Sequence, residues 1–213
     1  MKKSSIGHLL ALTIGFTISL LLFRIFYSGS LMYIFFVWNL LLASVPLAIN
    51  PFLFYTKNKN MQWMLFALWL LFFPNSLYII TDLVHLKARY PVPIWFDTIL
   101  VFSAAFNGLI IAYASLQQAD LFLRSKFSNS ITSIIICACL FLSSFGIYLG
   151  RFLRWNSWDI LSDPLGLIFQ VTDRIFNPLE HPRTWGVTIV FTLFFSIFYF
   201  TIKKLPGLII NNK

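Results

Sequence analysis

Asp82 and His85 are the side chains in this sequence best placed to move a proton. They stand three residues apart in the stretch LFFPNSLYIITDLVHL, residues 71–86, and residues three apart share one face of a helix. The pair predicts either a helix end at the membrane interface with solvated polar groups or an imidazole whose tautomer and basicity a carboxylate sets, which suits general acid–base catalysis. Acids are scarce, 7 in 213 residues, so this pairing carries more weight than it would in a soluble protein.

A second group of residues has the chemistry to hold an anion. In the segment GIYLGRFLRWNSWD, residues 146–159, Arg151 and Arg154 are three apart, so on a helix they would share a face. Trp155 and Asp159, four apart, would share one as well. Guanidinium groups grip phosphate through paired hydrogen bonds. The segment predicts either a phosphate site or a plain anchor at the membrane interface, where Trp is enriched.

The remaining candidates support these two groups. Asp97 follows Trp95-Phe96 at the start of an apolar segment, where the helix dipole favours an acid and gives it a structural reading beside the catalytic one. We assign candidate roles as follows: catalytic, Asp82, His85 and Asp97; anion-binding, Arg151 and Arg154; supporting, Asn75, Trp155, Asn156 and Asp159.

Metal and cofactor chemistry find little support in the sequence. Asp82, His85, Asp97 and His181 are metal-ligand types. Their spacing matches no zinc motif, and no nucleophile motif surrounds a Ser or Cys. We predict no metal site and no cofactor.

Long apolar segments must position all of these residues. The chain is 59% hydrophobic and 11% charged, whereas soluble domains carry about 25% charged residues. Since about 20 apolar residues cross a bilayer, we predict an all-α polytopic transmembrane bundle, a single integral-membrane domain over 1–213. The basic start and the long run after it predict an uncleaved first span rather than a signal peptide. The predicted spans are about 6–27, 31–54, 61–82, 95–116, 131–150 and 184–202.

One predicted helix is too short and too polar to span. Asp163 suits an N-cap, Pro164 suits the first helical position, and apolar residues then recur at helical spacing. We predict an amphipathic helix over 164–177 that lies in the membrane interface.

Pro74-Asn75 interrupts the third predicted span. Proline kinks or breaks a helix, so the pair predicts either an ordinary kink or a break that opens a polar pocket. We expect the break to position Asp82 and His85.

The charges give an orientation. With the N-terminus inside, 9 Lys and Arg fall inside and 7 outside, while 6 of the 7 acids fall outside. Because basic residues favour the cytoplasmic side, we predict a cytoplasmic-membrane protein with both termini in the cytoplasm. The net charge of +9 fits topology signals and anionic lipid headgroups, so we predict the lipid bilayer as partner and no nucleic acid. No oligomeric state follows.

Three segments resemble the signature segments of a bacterial integral-membrane family, domain of unknown function 1361. They are PNSLYIITDLVHL, PVPIWFD and YLGRFLRWNSWD, and the resemblance extends from about the second span to the sixth. It implies a polytopic bacterial membrane protein without an established activity, and it supplies no catalytic residues.

Three functions stay open. The first is an extracytoplasmic polar site that binds or processes a phosphate-bearing lipid or envelope precursor, and whether it is an enzyme stays undecided. The second is a small-solute transporter or channel, which should place polar residues well inside several spans; the sequence offers Asn39, Asn75 and Asn107. The third is a non-catalytic membrane assembly component.

Overall fold

All regular secondary structure that the computed structural model describes is helical. It describes the backbone of residues 3–210 and the side chains of residues 7–205, and it contains no strand within that range. This confirms the all-α prediction. The elements are α1 Lys3–Ser28, α2 Phe35–Tyr55, α3 Lys59–Tyr78 with a 3-10 helix Ile79–His85 after it, α4 Ile94–Arg124, α5 Asn129–Leu153, α6 Asp159–Ser162, α7 Pro164–Phe176 and α8 Pro182–Ile210.

Six of these helices are long and apolar enough to cross a membrane. They correspond to the six predicted spans, and the chain is a multi-pass membrane protein. One difference lies in α4, which continues to Arg124 rather than ending near 116. Polar residues near its end, such as Gln117 and Asp120, lower the local hydropathy. The predicted span therefore ends too early, although these residues do not end the helix.

The chain divides into two compact units. The first ends at Ser115 and the second begins at Leu116. In the first unit, α2 packs along α3, and small residues such as Ala43 and Ala104 let helices approach closely. Its core cluster comprises Leu21, Tyr33, Phe36, Leu40, Ala43, Ile79, Leu100, Val101 and Ala104.

Hydrogen bonds between buried polar side chains tie the first unit together. The Asn50 amide donates to the Ser115 carbonyl at 2.8 Å and to its hydroxyl at 3.0 Å, and the Trp69 indole donates to the same hydroxyl at 2.8 Å. The Asn107 amide donates to the Thr17 hydroxyl at 2.8 Å. Such groups are costly when unpaired in an apolar medium, so these bonds fix the helices against one another.

Of the two alternatives at Pro74, a kink or a break, the break is wrong. α3 runs through Pro74 to Tyr78 and tightens into the 3-10 helix only at Ile79. The Asn75 amide donates to the Phe72 carbonyl at 2.9 Å, so a side chain supplies a bond to the backbone next to the proline. Proline can kink a membrane helix without ending it.

The junction between α3 and the 3-10 helix is held from two sides. The Ser76 hydroxyl donates to the Ala43 carbonyl of α2 at 2.6 Å. On the other side lies Gly108 of α4, where an added Cβ would be 2.9 Å from the Ser76 carbonyl oxygen and 3.1 Å from Cβ of Ile79. Only glycine allows this close approach, so the start of the 3-10 helix is fixed relative to α2 and α4.

In the second unit, α5 packs along α8, and the predicted amphipathic helix is present as α7. Pro164 occupies its first turn, and the Asp163 carboxylate accepts a hydrogen bond from the Gly166 amide at 3.0 Å. Arg174 is nine-tenths buried, while Phe169 is 70% exposed. α7 therefore turns its apolar face away from its own unit, the arrangement expected of a helix in the lipid interface.

Candidate functional site

The 3-10 helix brings Asp82 and His85 side by side. Side chains three residues apart eclipse one another in this helix type, and Nε2 of His85 lies 3.9 Å from Oδ1 of Asp82. The Asp82 side chain is 1% exposed and the His85 side chain 47% exposed. The Asn39 amide of α2 donates to Oδ2 of Asp82 at 3.0 Å. The buried Asp82 carboxylate, held by Asn39, is thus next to the solvent-accessible imidazole of His85.

His85 is also held by its backbone and by its ring face. The Tyr33 hydroxyl donates to the His85 carbonyl at 3.2 Å. The Phe35 ring meets the imidazole edge-on, with centroids 5.7 Å apart. These contacts fix where residue 85 sits and which way its ring can turn.

Tyr33 connects His85 to the rest of the first unit. It is buried in the segment between α1 and α2, in the left-handed region with φ 67°. Burial, followed by the charge of Asp97, raises the pKa of its hydroxyl. The hydroxyl therefore stays protonated and keeps donating to the His85 carbonyl at neutral pH.

Asp97 has a buried arginine partner. In the first turn of α4 its carboxylate accepts from Nε of Arg24 at 2.7 Å and from Nη2 at 3.1 Å, and both side chains are about 98% buried or more. The guanidinium lies 4.8 Å from the centroid of the Tyr33 ring. Asp97 is therefore linked through Arg24 and Tyr33 to the backbone of His85.

These contacts define one cluster, which we call the His85 cluster. It joins the three candidate catalytic residues to three residues that were not among the candidates. Arg24 had a visible signal, since it is the only Lys or Arg between Lys3 and Lys57 and an ionisable residue within a span is rarely incidental. Its members are Arg24, Tyr33, Asn39, Asp82, His85 and Asp97.

The second unit carries the two predicted anion-binding arginines. α5 ends at Leu153, with the half-buried Arg151 in its last turn and the exposed Arg154 just beyond in a left-handed conformation, φ 64°. The prediction that they share a helical face is wrong, because the helix stops between them. The Trp155 amide donates back to the Leu149 carbonyl at 3.1 Å, which closes the end of the helix.

Asp159 stabilises the turn that follows. Its Oδ2 accepts from the backbone amide of Asn156 at 2.6 Å and from that side chain at 3.2 Å, and its Oδ1 accepts from the Ser162 hydroxyl at 3.1 Å. The Asn156 amide holds the pKa of this carboxyl below its usual range. Trp155 and Asp159 do not share a helical face as predicted, because α6 begins only at Asp159.

A second acid–imidazole pair lies near the end of α7. Nε2 of His181 is 2.7 Å from Oδ2 of Asp173, and the Asn177 amide donates to Oδ1 at 2.9 Å. Asn177 and His181 together lower the pKa of the Asp173 carboxyl. The pair escaped sequence reasoning because residues eight apart across a turn follow no helical spacing.

Arg183 lies at the α5 end of its unit. Its guanidinium is 4.4 Å from the ring centroid of Phe152, the neighbour of Arg151. Three arginines of the second unit, Arg151, Arg154 and Arg183, therefore belong to the region where α5 ends and α8 begins.

The described side chains contain no group of three or more His, Cys, Asp or Glu residues placed to hold a metal ion. The candidate chemistry is therefore that of an oriented imidazole in the first unit and of guanidinium groups in the second.

The chain was compared with protein-family models, curated proteins and solved structures. No curated protein and no solved structure matches it. A family model described as Protein of unknown function (DUF1361) matches residues 38–198, well over half of the chain. The match includes Asp82, His85, Asp97, Arg151 and Arg154. The chain belongs to this family, Protein of unknown function (DUF1361).

Proposed function

We propose that this protein carries, at the extracytoplasmic face of the bacterial cytoplasmic membrane, a polar site for a phosphate-bearing lipid or envelope precursor. His85 transfers a proton to or from the bound molecule, and Asp82 orients its imidazole. The observation that carries the proposal is the fully buried Asp82 carboxylate 3.9 Å behind the 47% exposed His85 imidazole. Catalytic hydrogen bonds are often this long before a substrate is bound.

The charge around His85 suits an anionic molecule. Lys87 and Arg89 follow it and are both exposed, and cationic side chains near a membrane surface attract anionic headgroups. Asp82 is occupied by Asn39 and Asp97 by Arg24, so neither acid presents an open carboxylate to the approaching phosphate.

The arginines of the second unit support phosphate binding independently. Arg154 holds a left-handed conformation that costs a non-glycine residue about 1–3 kcal/mol, and such outliers point to functional positions. Glycine would adopt this conformation at the end of α5 without that conformational energy. We therefore propose that the Arg154 side chain has a functional role. We propose that it contacts phosphate together with Arg151.

The polar residues within the spans give a transporter no comparable support. Asn39 donates to Asp82, Asn75 to the Phe72 carbonyl and Asn107 to Thr17. Each amide nitrogen is thus used in internal packing.

The test is a deletion strain complemented with variants, with its envelope lipids compared by mass spectrometry. We expect the wild-type gene to restore the lipid profile. His85→Ala should lower conversion by about 10²-fold or more, the usual contribution of a general acid or base. Asp82→Asn should act in the same direction, because it leaves the imidazole without its charged partner. His8→Ala is the matched control, an exposed histidine of the same unit near the start of α1, and should behave as wild type.

The arginines are tested with the purified protein and short-chain phosphatidic acid as the probe. Arg154→Gly keeps the backbone turn and removes the exposed side chain with its guanidinium, so folding should persist while binding weakens. Unchanged binding in Arg154→Gly and Arg151→Gln would refute the anion-binding role. An unaltered lipid profile in His85→Ala would refute the catalytic role and favour an assembly component instead.

A further inference from the structure

A cavity of about 340 Å³ opens beside the Arg24–Asp97 pair. It lies between the last turns of α1 and the chain that leads into α4. Its walls are almost wholly apolar and aromatic, and Arg24 is the one charged side chain among them. The lining comprises Phe23, Arg24, Tyr27, Val92, Pro93, Trp95 and Phe96.

Arg24 keeps hydrogen-bonding capacity on the side away from Asp97. Its Nε and Nη2 donate to the carboxylate, and the Tyr33 ring covers one face of the guanidinium. Nη1 is buried and has no hydrogen-bond partner among the described side chains and backbone. A buried donor without a partner costs about 1–3 kcal/mol. Since Arg24 lines the cavity, an acceptor that enters it and reaches Nη1 would be stabilised.

The charge of the pair decides which acceptor fits. Asp97 already neutralises Arg24 through a bidentate contact, so Nη1 offers N–H groups within a pair of no net charge. An uncharged oxygen suits such a donor, since a phosphate would bring a second negative charge next to the buried Asp97. The cavity therefore favours a carbonyl oxygen over an anion.

The exposed aromatic residues around the cavity are of the kinds found at a membrane interface. Phe23, Tyr27 and Trp95 are 59%, 58% and 61% exposed. Tyr and Trp concentrate where the hydrocarbon core meets the headgroups, which is the depth of the ester groups of a phospholipid. The open side of the cavity therefore faces the part of the bilayer that carries carbonyl oxygens.

We propose that Arg24 and this cavity bind the glycerol-ester region of a membrane phospholipid, with an ester carbonyl accepting a hydrogen bond from Nη1 of Arg24. The lipid is a resident ligand, distinct from the phosphate-bearing molecule proposed for His85. Its acyl chain packs against the exposed aromatic residues.

The test compares two lipids that differ only in those carbonyls. Native mass spectrometry of the purified full-length protein measures the binding of dioleoyl phosphatidylcholine and of its dialkyl ether analogue. We expect the ester lipid to bind about fivefold more tightly, the value of one ordinary net hydrogen bond. Arg24→Lys keeps a cation beside Asp97 but has no nitrogen in the position of Nη1. The ratio of ester to ether binding in this variant should therefore fall to about one.

Arg124→Lys is the matched control. Arg124 also donates to a buried carboxylate, Oδ2 of Asp120 at 2.8 Å, but it does not line this cavity. Its ester-to-ether ratio should equal that of wild type. If Arg24→Lys fails to fold, Arg24→Met with Asp97→Leu removes both charges together and should also give a ratio of about one.

Three results would overturn the proposal. The first is equal binding of ester and ether lipids by the wild-type protein, and the second is an ester-to-ether ratio that survives Arg24→Lys. The third is binding of phosphatidylglycerol but not phosphatidylcholine, which would show that headgroup charge is recognised instead. None of these results bears on His85, whose test reads the conversion of a phosphate-bearing molecule.

Discussion

At the residue scale, the Arg24–Asp97 pair organises the first unit. It fastens the end of α1 to the start of α4, and its cation lies against the Tyr33 ring. Tyr33 in turn holds the backbone of His85. A candidate acid thus contributes by placing other groups, because both of its oxygens already accept hydrogen bonds from Arg24.

Removing one partner of this pair should be more damaging than removing both. Asp97→Asn leaves the Arg24 cation buried without a counter-charge, and Arg24→Met leaves the Asp97 carboxylate so. Either should cost about 3–5 kcal/mol in unfolding free energy, whereas replacing both with apolar residues is often close to neutral. Unfolding in mixed detergent and SDS measures this difference. Equal losses in the single and double variants would contradict a buried ion pair.

Sequence spacing located part of this cluster and missed part of it. Asp82 and His85 stand out because their spacing is local, and the 3-10 helix preserves it. The partners Arg24 and Asn39 lie 73 and 43 residues from the acids they contact. Such contacts depend on which helices become neighbours, and helical periodicity carries no information on that.

At the element scale, Gly108 sets the distance between α4 and the start of the 3-10 helix. We expect Gly108→Ala to lower the unfolding free energy by about 1–3 kcal/mol, the usual cost of overpacking. The added Cβ meets the backbone carbonyl of Ser76, which cannot turn aside as a flexible side chain can. Detergent–SDS unfolding is again the measurement.

Gly15→Ala provides the control for Gly108→Ala. Gly15 is also a glycine within a spanning helix, but nothing lies within 4 Å of an added Cβ there. Alanine favours helix over glycine by about 1 kcal/mol, so this variant should match or exceed wild-type stability. Equal behaviour of the two variants would mean that α4 does not rely on this close approach.

Element boundaries were predictable where local chemistry sets them. Asp163 and Pro164 mark the start of α7 because an N-cap acid and a first-turn proline act through neighbouring residues. The end of α5 at Leu153 was hidden. The residue after it, Arg154, has a left-handed backbone conformation in which glycine is the usual residue. The continuity of α3 through Pro74 was hidden as well, because a proline in a sequence is compatible with either a kink or a break.

At the scale of the whole molecule, the even number of candidate spans, six, predicts that both ends of the chain lie on the same side of the membrane. The excess of Lys and Arg, 9 against 7, favours the cytoplasm for both termini. Fusions of green fluorescent protein and of alkaline phosphatase after Lys213 test this directly. We expect fluorescence without phosphatase activity there, and phosphatase activity for a fusion after Arg89. An active phosphatase after Lys213 would contradict the orientation.

The Tyr33 hydroxyl holds residue 85 by its backbone carbonyl, so this contact does not involve the side chain of that residue. Every amino acid offers that carbonyl, so the anchor persists whichever side chain occupies the position. The side chain can therefore be exchanged without losing this backbone contact, and if His85 has the proposed role, added imidazole should restore conversion in a His85→Gly protein. For protein engineering, position 85 can therefore carry other side chains while its backbone keeps the hydrogen bond from Tyr33.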